Sequence, residues 1–306
     1  MTKTKAETRT RKQTRPDATR TSPDRTTGPL KRARWAAMRA LLGTVGRASA
    51  GIRIGYRHGF DSGSMLDYVY VNKAGGFPVV GHLIDRVYLN AVGWRAIRAR
   101  RELLKDVLRK EIARRDGSDG SGSSGDTRAG AEAAGGVRVL DVASGPGRYL
   151  QDVLAEYEPG TLHVECRDLD RAGLAQGERQ TAERGLTGIS YVYGDALDPA
   201  PASPAPDIVV VSGLYELLLD DAVIASSVAH LRGMLAPGGV LVFTTQTHHP
   251  QLEFIANVLP NRDGVLWEME CRPVELAEQW AVRAGFAEVT SRRESVGLFT
   301  VTTARR

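Results

Sequence analysis

The fold is decided by residues 137–148, whose sequence is VRVLDVASGPGR. The apolar run that ends at Asp141 predicts a buried β-strand, and Gly145 and Gly147 let the following backbone turn tightly and approach a ligand closely. A helix that begins near Gly147 would point its free N–H groups at that ligand. On its own, this stretch is a weak indication of a site for a nucleotide-like molecule.

Apolar runs of similar length recur downstream, mostly with helical patterns between them. The predicted strands are residues 137–142, 161–166, 189–193, 207–212 and 240–245, followed by 287–292 and 297–303. Alternating strands and helices predict a parallel sheet covered on both faces, whereas the last two strands, separated only by a turn, pair antiparallel. We therefore predict an α/β fold: a doubly wound, seven-stranded, mostly parallel Rossmann-like sheet with a C-terminal antiparallel hairpin and an N-terminal helical cap.

Three aspartates, Asp141, Asp168 and Asp195, follow the first three predicted strands. Because the carboxyl ends of parallel strands meet at one edge of a sheet, we expect these side chains to share a site. Asp168 suits the two hydroxyls of a ribose, Asp195 suits an adenine amino group, and Asp141 suits a cationic amino group. A dinucleotide site would require Gly or Ala where Leu150 stands, which favours S-adenosylmethionine (SAM) over NAD as the cofactor.

The motifs VLDVASGPGR, RDLD, YGDALD, VVVSGLYELL and LAPGGVLVFTTQ occur in this order, and with them the sequence resembles the class I SAM-dependent methyltransferases over roughly residues 51–306. SGLYEL, TQTHHPQLE and GWRAIRAR resemble more narrowly a bacterial methyltransferase family whose members often follow an α/β-hydrolase domain. The resemblance implies that Asp141, Gly145, Gly147, Asp168 and Asp195 bind the cofactor. Ala143 departs from it, because the usual loop has its first glycine there. Neighbouring loop residues complete the predicted cofactor site: Ala143, Ser144, Leu169, Ala196 and Ser212.

Residues beyond the fourth and fifth strands are candidates for the acceptor side of the reaction. Tyr215 and Glu216 follow the fourth strand, and His248 and His249 follow the fifth. A carboxylate or an imidazole there suits proton transfer or positioning of the acceptor. Glu216 also fits a helix-start carboxylate, and the histidines also fit a surface or structural pair. No third ligand accompanies the histidines at metal-binding spacing, so no metal site is predicted.

The composition divides the chain into four parts. We predict a disordered basic tail (1–30), a helical cap or lid (31–115), a Gly/Ser-rich linker (116–136) and a SAM-binding methyltransferase domain (137–306).

Within the cap, residues 31–50 predict a helix that packs on the body or, alternatively, lies on an anionic membrane surface. Residues 51–80 predict an ordered but irregular segment. Four side chains of that segment are candidates for a lid over the cofactor or, alternatively, for simple packing: Tyr56, His58, Asp61 and Tyr68.

The charge is unevenly distributed along the chain. The formal net charge is +5, but residues 1–40 hold 12 Lys/Arg and 3 Asp/Glu, a net of +9, so the remainder carries −4. A mildly acidic body disfavours nucleic acid and favours a small-molecule or lipid-like acceptor. The basic N-terminus is read first as a solvated tail; a peripheral contact with an anionic membrane or RNA, or a targeting role, stays open. Two widely separated cysteines indicate a reducing compartment, so we expect a cytoplasmic protein, with a membrane-peripheral location left open.

Three functions are weighed on these grounds. We favour a SAM-dependent methyltransferase that acts by in-line transfer to an unidentified small or lipid-like acceptor. A Rossmann-type oxidoreductase is disfavoured by Leu150 and by the terminal hairpin. A non-catalytic SAM-binding or membrane-associated interaction protein also stays open, and in that case the basic tail would be the functional segment. The sequence favours no particular oligomeric state.

Overall fold

The computed structural model describes residues 19–20, 28–117 and 135–306. Its N-terminal cap comprises α1 (Pro29–Gly43), a 3-10 turn (Val45–Ala48), α2 (Ala50–His58), α3 (Gly63–Val71), α4 (Val80–Leu89) and α5 (Val92–Asp116). The strands are β1 (Thr19–Arg20), β2 (Val137–Asp141), β3 (Leu162–Asp168), β4 (Ile189–Tyr193), β5 (Ile208–Val211), β6 (Val240–Gln246), β7 (Glu270–Cys271), β8 (Glu288–Arg293) and β9 (Phe299–Arg305). The other helices are α6 (Arg148–Leu154), α7 (Arg171–Glu183), α8 (Asp221–Met234), α9 (Leu252–Val258) and α10 (Val274–Arg283).

Seven of these strands form one sheet in the spatial order β4-β3-β2-β5-β6-β9-β8. Strands β2 to β6 are parallel, and β9 pairs antiparallel with both β6 and β8. The chain steps outward from β2 to β4 and then returns to β5 beside β2, which creates the switch point where open α/β sheets bind ligands. The predicted fold class, including the antiparallel C-terminal hairpin, is confirmed.

Helices cover both faces of the sheet. On one face, Leu104 of α5 and Leu150 of α6 belong to the same buried cluster as β2 and β3. On the other face, Ile224 of α8 and Trp280 of α10 belong to a second buried cluster. Full burial of each such side chain stabilises the fold by about 1.5–3 kcal/mol, so the strands hold the loops at their carboxyl ends in fixed positions.

The cap has a core of its own that continues into the body. Phe60, Met65 and Trp94 of the cap form one buried cluster with Ile255 of α9 and with Trp267. The cap is therefore packed onto the segment that follows β6, and it covers the carboxyl edge of the sheet.

The cap is more helical than predicted. The segment expected to be irregular contains α2 and α3, each begun by a serine whose hydroxyl accepts a backbone hydrogen bond, Ser49 from Ile52 (3.0 Å) and Ser62 from Met65 (3.2 Å). Such caps stabilise short helices that the abundance of glycine obscures in the sequence. The single helix expected over residues 31–50 is interrupted after Gly43, where α1 ends and the 3-10 turn begins.

The predicted tail and linker lie largely outside the described residues. Of residues 1–30, the structure describes β1, which pairs antiparallel with β7, and residues 28–30, where α1 begins at Pro29, a residue favoured in the first helical turn. The rest of the tail, and residues 118–134 of the linker, are not described.

Candidate functional site

A cleft opens at the carboxyl ends of β2 to β5, and we call it the strand-tip cleft. Every predicted cofactor residue except Asp141 lines it: Ala143, Ser144, Gly145, Gly147, Asp168, Leu169, Asp195, Ala196 and Ser212. The sheet topology thus brings together residues that are up to 69 positions apart in the chain, from Ala143 to Ser212.

The loop after β2 needs glycine at two positions. Gly145 and Gly147 have φ values of +53° and +67°, which side-chain-bearing residues rarely adopt. A Cβ atom on Gly145 would lie 3.2 Å from Cα of Gly63 on the cap, and one on Gly147 would lie 2.8 Å from Sγ of Cys166. The glycines therefore let the loop pass close to the cap on one side and to β3 on the other.

Two carboxylates stand at the rim of the strand-tip cleft. Asp168 accepts backbone hydrogen bonds from Gly145 at Oδ2 (2.7 Å) and from Asp170 at Oδ1 (2.8 Å), which fix its orientation. Asp195 accepts one from Leu197 at Oδ1 (2.9 Å). Carboxylate oxygens carry more lone pairs than these bonds use, so both groups can still accept hydrogen bonds from a ligand.

Asp141 does not reach the cleft, so the expectation that it contacts the ligand directly is not supported. It is fully buried beneath the loop, where it accepts hydrogen bonds from the Tyr149 hydroxyl and from the Ala143 backbone (3.1 Å). Burial raises its pKa to about 7, against the opposing effect of these two hydrogen bonds. The residue therefore shapes the loop from behind.

The cap supplies the opposite wall of the cleft, which the sequence did not identify apart from Asp61. The wall consists of Asp61, Gly63, Leu66, Asp67 and Tyr70. Asp67 is paired with Arg148, the first residue of α6, and also accepts hydrogen bonds from Gln176 (2.7 Å) and Gln180 (3.0 Å) of α7. This cluster fastens α3 to two helices of the body. A GSMLDY stretch gives no periodic or motif signal that would predict such a role.

A second cavity lies between the cap and the body, and we call it the cap cavity. Most of its lining is apolar or aromatic, including Leu42, Phe60, Tyr88, Trp94, Ile97, Phe254, Ile255, Leu259, Trp267, Met269 and Phe299. Asp61, Leu66, Gly213 and Leu217 line both the cap cavity and the strand-tip cleft. The two spaces are therefore direct neighbours with a shared wall.

A buried ion pair forms the polar part of the cap cavity. Arg100 of α5 donates to Oε1 of Glu216 at 2.9 Å, and the two side chains are only 2% and 6% exposed. Burial alone would lower the pKa of Arg100, but the neighbouring Tyr70 and Glu216 raise it above its usual value. Arg100 Nε and Nη2 and Glu216 Oε2 have no hydrogen-bond partner among the described residues. Unpartnered buried polar atoms are rare and are candidates for ligand contacts.

The two histidines take different positions. His249 lines the cap cavity, and its Nδ1 accepts a hydrogen bond from the Gln251 backbone (3.0 Å). Burial, and secondarily the nearby His248, lowers the pKa of His249 to about 4, so its ring is neutral at pH 7. His248 is exposed and lines neither cavity, so its predicted role in the site is not supported.

Tyr215 is a core residue, so its predicted catalytic role is not supported. Its side chain is 1% exposed and lines neither cavity. The ring packs edge-on against Phe243, with centroids 5.7 Å apart, and the hydroxyl lies 3.1 Å from the Ser227 hydroxyl. Tyr215 and Glu216 are adjacent in the chain but point to opposite sides of the backbone, one into the core and one into the cap cavity.

The four candidate lid residues are also separated by the structure. Asp61 lines both cavities. Tyr56 packs in the cap core, Tyr68 donates to the buried Asp85 of α4, and His58 is exposed. Only Asp61 therefore reaches the site.

Within residues 28–117 and 135–306, no group of three His, Cys, Asp or Glu side chains is arranged to hold a metal ion. The helices in the same part of the chain are all too short or too polar to span a bilayer.

Comparison with known sequences gives a family match and one curated relative. The family described as "Putative methyltransferase" matches residues 2–306. The uncharacterized protein YnbC of Escherichia coli strain K12 is 38% identical over 274 residues, which cover 88% of this chain and 44% of YnbC. The chain thus spans less than half the length of this relative.

Comparison with solved structures finds the same fold in several proteins. A possible exported protein from Bordetella parapertussis matches with a TM-score of 0.66 at 17% identity, over 89% of this chain and 87% of the other. Magnesium protoporphyrin IX methyltransferase from Synechocystis PCC 6803, solved with bound SAH, matches with a TM-score of 0.53 at 13% identity, over 82% and 97% of the two chains. At such identities the likeness concerns the fold.

Proposed function

Because this chain belongs to the methyltransferase family that its sequence matches from residue 2 to residue 306, we propose that it methylates a small apolar or lipid-like molecule bound in the cap cavity. The enzyme class and the cofactor, SAM, are those predicted from the sequence; the family match supports the enzyme class, and the carboxylates of the strand-tip cleft support the cofactor. The acceptor is the new element of the proposal. One observation carries it: the apolar cap cavity shares a wall with the cleft that holds the predicted cofactor residues.

The polar groups of the strand-tip cleft suit SAM. Gly145 and Gly147 let the loop after β2 line the cleft with backbone in place of side chains. Asp168 and Asp195 offer acceptors for ribose hydroxyls and an adenine amino group, respectively. When bound, SAM supplies a methyl group attached to a sulfonium, which is a strong leaving group. The protein's task is then to align the acceptor and to exclude water.

The cap cavity suits an acceptor that carries one hydroxyl group on an apolar body. The unpartnered Oε2 of Glu216 can accept a hydrogen bond from that hydroxyl, while the free N–H groups of Arg100 can donate to its oxygen. As the oxygen is methylated, Glu216 Oε2 takes the hydroxyl proton, and the hydrogen bond from Arg100 to Oε1 holds the carboxyl group in place. His249, neutral and fixed by Gln251, contributes a further polar atom to the same wall.

The proposal is tested with SAM labelled in the methyl group and a fractionated cell extract, separated into lipid, small-molecule, protein and nucleic-acid pools. We expect counts in the lipid or small-molecule pool. Ala91→Trp is designed to fill the cap cavity, since Ala91 lines the cap cavity and does not line the strand-tip cleft. This variant should lose transfer while its dissociation constant for SAM changes less than about twofold, because the cofactor residues are untouched.

Two outcomes would contradict the proposal. Transfer by Ala91→Trp at the wild-type rate would place the acceptor outside the cap cavity. Counts confined to the protein or nucleic-acid pool would exclude a small apolar acceptor. Asp168→Ala provides the matched variant, because it should lose SAM affinity with the cap cavity intact.

A further inference from the structure

The outer face of α4 and the loop before it form an exposed apolar surface. Five large apolar side chains there, each 54% to 82% exposed, make up what we call the α4 patch: Phe77, Val79, Val80, Leu83 and Val87. Single exposed apolar residues are common, but contiguous exposed apolar surfaces mark interaction sites. Among the described residues, none covers this face.

The pattern along α4 reverses that of an ordinary surface helix. Val80, Leu83 and Val87 follow the three- and four-residue spacing of one helix face, and that face points outward. The inward face carries Gly81 and the buried carboxylate of Asp85. Because burial of apolar surface is favourable, a helix with an exposed apolar stripe is suited to insert that stripe into an apolar environment.

The exposed charge around the α4 patch is almost entirely positive. Residues 28–99 contain 11 Lys/Arg and only three acidic residues, Asp61, Asp67 and Asp85. All three acidic side chains are at most 7% exposed. Asp61 and Asp67 pair with arginines, and Asp85 accepts hydrogen bonds from Ser49, Gly51, Tyr68 and Gly75.

Basic side chains lie in the elements next to the α4 patch. Lys73 precedes it, Arg86 lies within α4, and Arg47 belongs to the 3-10 turn that packs against α4; all three are exposed. Two further exposed apolar residues, Leu41 and Val45, stand at the same turn. Apolar side chains surrounded by cations are complementary to a bilayer whose headgroups are anionic.

We propose that the α4 patch docks this protein on the surface of an anionic lipid membrane. The apolar side chains enter the boundary between headgroups and acyl chains, and Lys73, Arg86 and Arg47 contact the lipid phosphates. Tyr88 of α4 also lines the cap cavity, so docking brings that cavity close to the bilayer. The inference is independent of the acceptor's identity, because it depends only on the exposed face and its charges.

The test is co-sedimentation of the full chain with two kinds of vesicle, one of phosphatidylcholine alone and one that also contains phosphatidylglycerol. We expect binding to the second kind only, weakened by added salt because part of the attraction is electrostatic. The double variant Leu83→Asp, Val87→Asp should lower vesicle affinity at least tenfold. Val282→Asp is the matched control: Val282 is 60% exposed on α10, outside the cap, and its change should leave vesicle binding intact.

Three outcomes would overturn the inference. The first is failure of phosphatidylglycerol vesicles to retain the full chain at low salt. The second is binding of the double variant as tight as that of the wild type, which would assign membrane contact to another segment. The third is conversion of a wild-type dimer into a monomer by the double variant in light scattering, which would make a second copy of this chain the occupant. Calorimetric SAM binding by the double variant shows that it remains folded.

Discussion

Replacing the buried ion pair of the cap cavity separates its structural role from its chemical one. The variants are Arg100→Met, Glu216→Met and the combination of both. Arg100 and Glu216 are 2% and 6% exposed and 2.9 Å apart, so either single change leaves the other charge buried and unpaired. Such a change costs about 3–5 kcal/mol of unfolding free energy, whereas replacing both charges by apolar side chains is often neutral. Arg100 also lies over the Phe299 ring, 4.7 Å from its centroid, and a methionine retains part of this contact.

Three measurements are combined: urea unfolding monitored by circular dichroism, calorimetric titration of SAM, and transfer of the labelled methyl group to the extract fraction that the wild type methylates. We expect each single variant to lose about 3–5 kcal/mol of stability and the double variant to recover most of it. The double variant should bind SAM normally and transfer no methyl group, because the polar contact for the acceptor is gone. A double variant that transfers at the wild-type rate would refute this reasoning, as would single variants that each lose less than about 1 kcal/mol.

The pKa of Asp141 is about 7 in the folded protein and lower in the unfolded chain, so its ionisation destabilises the fold as pH rises from 4 to 8. Urea unfolding across this range should show that the wild type loses about 4 kcal/mol more unfolding free energy than Asp141→Asn. Equal losses in the two proteins would contradict the burial of Asp141. Gly147→Ala, which adds a Cβ 2.8 Å from Cys166 Sγ at a φ of +67°, should lower unfolding free energy by about 1–3 kcal/mol in urea titrations, and an unchanged midpoint would argue against this loop geometry. His249→Ala should reduce the rate of methyl transfer without changing SAM affinity, whereas His248→Ala should leave the rate unchanged. Equal rates for the two variants in kinetic assays would contradict the placement of His249 alone at the cap cavity.

The sheet and the cofactor loops were predictable because their signals are local and periodic. Apolar runs of strand length and the Gly145–Gly147 turn specify the strands and the loop without reference to distant residues. The carboxyl ends of parallel strands then meet by topology, which places Asp168 and Asp195 on one cleft. The burial of Asp141 beneath the loop was not predictable, because sequence position does not reveal whether a strand-end side chain points into the cleft or away from it.

The acceptor side was only partly predictable, since it is built by contacts between distant segments. Arg100 and Glu216 are 116 positions apart and meet only after the cap packs onto the body. Neighbours in the chain, such as His248 and His249, differ in exposure for the same tertiary reason. The exposure of the α4 patch could not be predicted from the sequence, because an apolar helical stripe has the same pattern whether it faces the core or the solvent.

The most direct measurement of the central claim is calorimetric titration of SAM into the wild type and into Asp168→Ala. We predict one saturable site in the wild type and an affinity lower by about 1–3 kcal/mol in the variant, since the lost carboxylate makes charge-assisted hydrogen bonds. No binding heat in the wild type, or the same dissociation constant in both proteins, would contradict the assignment of the strand-tip cleft to SAM.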